Sequence, residues 1–236
     1  MKYLKQIIIV LAAVFFTQIV SAQTADEIVN KYIDALGGKE KLAQLKTLKM
    51  NGSMNVQGTD VGITVTVVNG VGTRTDIDVP GMAEGYMIVT PTKGWNFLPY
   101  QGQTGAEEIS NDQLKAGQGQ IDLQSPFMNY KEKGHKVELS GKENVNGIEC
   151  YKLKFTNKNG KVSTIYIDTK NYYRVKSVTT INVNGQDTEV ETSYADFKKT
   201  PEGYTLPFSQ TIPNGTIVYN SIEINKPVDE SIFTVK

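Results

Sequence analysis

The sequence predicts a mainly β fold with some helix: antiparallel strands joined by tight hairpins, a meander that curls toward a barrel. Three observations predict it. From Thr47 onward apolar and polar residues alternate with period two, the pattern of strands with one buried and one wet face. Asn159-Gly160, Asn184-Gly185 and Asn214-Gly215 fall between such segments, and Asn-Gly supplies the positive φ values that a two-residue hairpin turn needs. Only one long segment, near the start, repeats with helical period before two glycines. Long meanders of this kind close or curl to deal with their edges.

The first residues are set apart from the fold. Met1-Lys2-Tyr3-Leu4-Lys5 is a short basic start, Ile7 to Ile19 is an apolar run broken only by Thr17 and Gln18, and Val20-Ser21-Ala22 is a small-residue cleavage site. This is the pattern of a secretory signal peptide over residues 1–22. Gln23, rather than a cysteine, follows the cut, so the pattern predicts a periplasmic chain without a lipid anchor. Residues 23–236 are then expected to form one domain, because no Pro-rich linker or change of composition divides them.

Thr24-Ala25-Asp26-Glu27 is a capping box, in which the Thr24 hydroxyl accepts from the Glu27 amide and Glu27 reaches back. Ile28, Val29, Tyr32, Ile33 and Leu36 follow at helical spacing, and Gly37-Gly38 ends the helix. A short helical stretch is expected over Lys39 to Leu45. Strands are expected at Leu48–Val56, Val61–Val67, Thr73–Asp78, Tyr86–Thr90 and Trp95–Leu98. Tyr100 to Ala106 reads as a loop. Ser110-Asn111-Asp112-Gln113 is a second capping box before a weak helix near Leu114. Residues Gly117 to Lys133 are expected to hold one or two short helices split at Pro126. Seven further strands are expected at His135–Lys142, Ile148–Thr156, Val162–Ile167, Tyr173–Asn182, Thr188–Phe197, Tyr204–Gln210 and Ile217–Ile224.

Composition removes several functional classes. The 25 basic residues lose Lys2 and Lys5 with the leader, leaving 23 against 25 acidic ones, a net charge of −2. There is no basic surplus for nucleic acid. Cys150 is the only cysteine, so no intrachain disulfide forms, and its strand-like setting reads as packing. His135 is the only histidine, which argues against Ser-His-Asp and Cys-His catalysis and against common zinc sites. Asp76 and Asp78 share one side of a strand, but beside Arg74 they read as a solvated face. No phosphate-binding glycine loop occurs. No cofactor and no metal are expected, and no enzymatic activity.

The apolar residues point elsewhere. Met50, Met54, Met82, Met87 and Met128 all lie in the first half of the exported chain, with Trp95 and Phe97. Methionine is flexible and polarizable and suits surfaces that accept variable apolar shapes. With Val65 and Phe127 these residues are the candidates for an apolar cavity and its lid, the mouth of a curved sheet being a recurrent place for a single small ligand.

The chain also resembles the LolA-like family of outer-membrane lipoprotein-sorting proteins. The likeness is carried by Ala25-Asp26-Glu27-Ile28-Val29-Asn30-Lys31-Tyr32-Ile33, by Gly37-Gly38-Lys39-Glu40-Lys41-Leu42 and by Leu48-Lys49-Met50-Asn51-Gly52-Ser53-Met54. It continues through Tyr166-Ile167-Asp168, Tyr194-Ala195-Asp196-Phe197, Gly203-Tyr204-Thr205-Leu206-Pro207-Phe208 and Ile224-Asn225-Lys226-Pro227-Val228-Asp229 to Phe233. What it implies is an incomplete, half-open antiparallel β-barrel, with an N-terminal helix and short lid helices on an apolar concave face. It further implies a monomeric carrier of acylated lipoproteins or other lipids, working with inner- and outer-membrane sorting components. The alternative is the same fold used as an interaction or sensor module of the envelope. Neither Arg74 nor Arg174, the only arginines, lies in a motif that matches the family's lid-locking arginine.

Overall fold

The computed structural model describes residues 23–183 and 186–235; the expected signal peptide over residues 1–22, the expected turn at Asn184-Gly185 and Lys236 lie outside the described residues. Thirteen antiparallel strands form one sheet. In chain order they are β1 Thr47–Val56, β2 Thr59–Val68, β3 Gly72–Asp78, β4 Gly85–Val89, β5 Gly94–Phe97, β6 Glu107–Glu108, β7 Lys136–Val145, β8 Ile148–Thr156, β9 Val162–Asp168, β10 Arg174–Val183, β11 Gln186–Lys199, β12 Thr205–Ile212 and β13 Gly215–Ile224. The helices are α1 Ala25–Ala35, α2 Lys39–Ala43 and α3 Asn111–Gly117.

The sheet order is β6-β5-β4-β3-β2-β1-β13-β12-β11-β10-β9-β8-β7. Two meanders are thus sewn together by β1 and β13, the first and last strands. The edges are β6 and β7, and among the described residues they do not pair, so the barrel is half-open. This topology forces one long connection. The chain must pass from the β6 edge to the β7 edge, and it does so over residues 109–135.

Local chemistry explains the elements. Both capping boxes form: Thr24 Oγ accepts from the Glu27 amide at 3.2 Å, and Ser110 Oγ from the Gln113 amide at 3.3 Å. Gly37 and Gly38 close α1 with φ of +129° and +92°. Two hairpins have tight turns not anticipated above. Gln57-Gly58 (φ +51°, +87°) joins β1 to β2, and Asn146-Gly147 (φ +50°, +88°) joins β7 to β8. The expected helices after Gly117 reduce to a 3-10 turn over Gln118–Ile121 followed by turns. Ser125 (φ +77°) and Asn129 (φ +52°) both leave the helical region there, so no helix propagates past Pro126. β6 was not anticipated either; two acidic residues carry no period.

Alternation sorts the sheet into two faces. Leu48, Met50 and Met54 of β1 pair with Val67, Val65 and Val61 of β2 and share one face with them. The ladder continues that face through Ile224, Ile222, Tyr219 and Ile217 of β13. It is the concave face. A bulge between Asn51 and Gly52 accentuates the bend, and an added Cβ at Gly52 would meet the Val218 carbonyl at 2.3 Å.

α1 fills one end of this face. Ile28, Val29, Tyr32 and Ile33 pack with Leu48, Leu153, Phe155, Ile165, Ile167 and Ile224. A second cluster further along the face gathers Met54, Val61, Ile63, Ile217 and Tyr219. On the convex face the C-terminal segment lies across β2 to β5, with Val228, Ile232 and Phe233 packed on Val68, Ile88 and Trp95. The exposed β7 edge is blunted by charge: Glu138, Lys142 and Glu143 pair with Lys154, Glu149 and Lys152 of β8.

His135 serves structure. Its Nδ1 accepts from the Lys158 amide at 2.9 Å, and its ring lies 5.2 Å from that of Phe155. Burial, then the charge of Lys133, holds the imidazole below its ordinary value of 6.5. The folded state therefore resists the proton that the unfolded state accepts. The stability this group contributes is intact above pH 6.5 and is lost as pH falls below it toward the folded value. Because the chain has one histidine, its NMR titration is free of overlap. A midpoint below 6.5 is expected in the folded protein, and a midpoint at or above 6.5 would contradict this account.

Candidate functional site

The concave face is the candidate site. At one end it is covered by α1. Beyond α1, its residues keep partial exposure: Met50, Val65, Thr75 and Ile77 from the first meander, and Tyr194, Phe208, Gln210 and Ile222 from the second. Apolar side chains that pack on neighbours yet stay in reach of water, on this face of the sheet, are available to a ligand.

The crossing segment covers this face and is anchored at several points. Ile109 lies on Gly94, where an added Cβ would meet its Cδ1 at 2.4 Å, and Gly117 fits against Val89. α3, although it follows β6, approaches β10 of the other meander, so it bridges the half-open barrel. Further along, the Gly70 amide donates to the Ile121 carbonyl at 3.2 Å. The Leu123 amide donates to Asn69 Oδ1 at 3.0 Å, and Gln124 Nε2 to the Ala43 carbonyl at 3.1 Å. Lys131 Nζ meets Asp26 Oδ2 at 2.6 Å, and the Tyr130 hydroxyl also bonds Asp26. These two partners, Lys131 first, hold the Asp26 carboxyl below its usual range. A cleft of about 530 Å³ remains between α1 and this segment, lined by Val29, Ile33, Lys39, Phe127, Tyr130 and Glu132 among others.

The nine residues singled out as cavity and lid candidates separate into four groups. Met50, Met54, Val65 and Met87 share the concave face, Met87 through its pairing with Thr75. Met82 lies in the β3–β4 turn and is 55% exposed. Phe127 and Met128 belong to the crossing segment but are buried against α1. Trp95 and Phe97 require a correction. They pair with Ile88 and Tyr86 on the convex face, and Trp95 packs beneath the C-terminal segment. The apolar side of β5 is the outer one, covered by that segment, while Gly94 and Asn96 face inward, so period two did not reveal which side was concave.

The same face carries polar residues that sequence reasoning missed. Arg174, Ser177 and Thr179 of β10, Thr192 and Tyr194 of β11, and Gln210 of β12 all share it by register. The Tyr219 hydroxyl donates to Gln210 Oε1 at 3.2 Å, and burial, then the neighbouring Tyr194, pushes its pKa up to about 12. Thr73 is buried on the concave side, and its hydroxyl has no hydrogen-bond partner among the described residues.

The chemistry expected to be absent can be located. Asp76 is tied to Arg74 at 2.6 Å, with Arg74 Nη1 on the Ile232 carbonyl at 3.0 Å, so this pair fixes the C-terminal segment on the convex face. Cys150 is fully buried, and burial, followed by Asp168, pushes its thiol up to about 11. Among the described residues no group of three His, Cys, Asp or Glu side chains is placed to hold a metal, and no helix is long and apolar enough to cross a membrane.

Comparison with solved structures identifies the fold. A LolA superfamily protein from Nitrosomonas europaea superposes with a TM-score of 0.57 at 14% identity, over 91% of this chain and 99% of that one. A DUF1329 family protein from Desulfovibrio piger gives 0.57 at 13%, over 90% and 98%. A domain classed with outer membrane lipoprotein-sorting proteins, from Vibrio parahaemolyticus, gives 0.54 at 14%, over 89% and 95%. No family model matches the sequence, and no curated protein matches it either. The fold is the LolA-like one, a half-open antiparallel barrel with helices on its concave face, as the sequence resemblance implies.

Proposed function

We propose that this protein is a non-enzymatic carrier, exported to the periplasm, that shelters acyl chains of lipoproteins or other lipids on its concave face. The observation that supports this reading is the strip of Met50, Val65, Ile77 and Met87, apolar and partly exposed inside a curved sheet. Each buried CH₂ of a tail contributes about 0.8 kcal/mol, so one long tail represents roughly 10 kcal/mol of exposure to remove. Methionines adapt to such a tail at little cost. The bridging helix α3 has a single turn or two and few apolar anchors, which suits a cover that opens for release.

Protein isolated from its own envelope is expected to carry lipid in native mass spectrometry, and the delipidated protein to take up a fluorescent fatty acid. Absence of both would refute the carrier. One observation favours a second reading, an envelope interaction or sensor module: α1 fills one end of the concave face with core residues. That reading expects a protein partner in crosslinked envelopes and no bound lipid.

A further inference from the structure

Arg174 has no role in the reading above, and its setting is unusual. It opens β10 opposite Ile167, which is fully buried, so its side chain belongs to the concave face. Tyr32 of α1 and Tyr194 of β11 lie close enough to favour its charge against the burial that opposes it. The guanidinium carbon lies 4.3 Å from the centre of the Tyr194 ring. Among the described residues no carboxylate reaches it and no hydrogen bond satisfies it. Arg74, the other arginine, has both. Yet Arg174 keeps intermediate exposure, and none of its nitrogens is sealed from water. Its donors therefore remain in reach of water.

The surroundings divide the hollow chemically. Around Arg174 the wall is polar: Ser177, Thr192, Tyr194 and Gln210. Across β13, the wall of β1 and β2 is apolar: Met50, Met54, Ile63 and Val65. Four strand spacings separate β10 from β1, about 19 Å along the sheet, a span that a long acyl chain covers. An arginine carries five donors in a planar fork matched to carboxylate and phosphate. Placing a charge among protein atoms is costly unless it is paired. Two other cations of this face, Lys142 and Lys198, are already paired, with Glu149 at 2.9 Å and Asp196 at 2.7 Å.

We propose that Arg174 anchors the oxyanion of an acyl lipid, a phosphate or carboxylate head, whose tail lies on the Met50–Met54–Val65 wall. The proposal rests on the concave face being a lipid cavity and adds a selection: acyl chains with an anionic head are preferred over neutral ones. Lys198 is not required.

The test compares two probes with one tail, a monoacylglycerol and its phosphate ester (lysophosphatidate), each titrated below its micelle concentration into the delipidated protein. The phosphate ester is expected to bind at least about tenfold more tightly, the effect of one charge-assisted hydrogen bond. Arg174→Gln should bring the two within about twofold, while Lys198→Gln leaves the preference in place. Ser177→Asp keeps Arg174 and its packing but supplies a competing carboxylate on the same strand and face; it should also remove the preference, and it covers the case in which Arg174→Gln fails to fold. Inorganic phosphate alone should not displace the ester at millimolar concentration; displacement would mean that a free anion is the ligand and would overturn the proposal. Equal affinities in the unaltered protein overturn the anchor and leave the cavity standing. A preference that persists in Arg174→Gln places the anion elsewhere and overturns it too. If neither lipid binds, the cavity reading fails first and takes the anchor with it.

Discussion

Phe127→Ala is expected to destabilise the fold by about 3–5 kcal/mol, more than any other single truncation in the crossing segment. Phe127 is 2% exposed. Its ring meets Tyr32 of α1 edge-on at 5.2 Å and Phe155 of β8 edge-on at 5.6 Å. It is therefore the pin that joins three parts distant in sequence: the N-terminal helix, the crossing segment and the second meander. Each edge-to-face pair adds about 0.5–1.5 kcal/mol beyond burial, and the pocket cannot collapse readily because β-sheet forms one of its walls. For a chain of this size the melting temperature should fall by roughly 6–20 °C. Differential scanning calorimetry or chemical denaturation with an unchanged slope would measure it. A loss under about 1.5 kcal/mol would mean that the segment is held by Asp26, Lys131 and Gln124 rather than by this ring.

The sequence made the strands legible wherever one face was wet. β1, β2 and β3 alternate cleanly, and β8 runs from Ile148 to Thr156 as its pattern indicates. Both capping boxes were readable because they depend on three-residue spacing alone. The crossing segment was not. Phe127, Met128 and Tyr130 are buried without forming a helix, and burial dictated from outside leaves no period in the chain. The site was legible in part for the same reason. Met50, Met54 and Val65 fall on the concave face because β1 and β2 have a single apolar side. Trp95 and Phe97 misled because the single apolar side of β5 is the outer one, which the C-terminal segment covers. Arg174 carried no local signal at all: only the pairing with Ile167, and the approach of Tyr32 from about 140 residues away in sequence, place it inside.

Val65→Glu is expected to abolish acyl-chain uptake while the protein stays folded, whereas Val218→Glu leaves uptake intact. The two changes are chemically the same and sit on opposite faces of one sheet. Val65 pairs with Met50 and Thr75 on the concave side and is only partly buried, so a carboxylate there can reach water in the open hollow. A tail lying on Met50 and Val65 would strip that water. The effective penalty for burying an unpaired charge is several kcal/mol, which corresponds to a loss of more than about 100-fold in affinity. Val218 is 47% exposed on the convex side of β13; its replacement alters charge equally and touches no tail. Circular dichroism and melting curves establish that both variants fold, and a fluorescent fatty acid titration reads the effect. Equal uptake by the two variants would show that acyl chains do not lie on the concave wall. The remaining route would then be the cleft between α1 and the crossing segment, where Val29 and Ile33 flank Phe127.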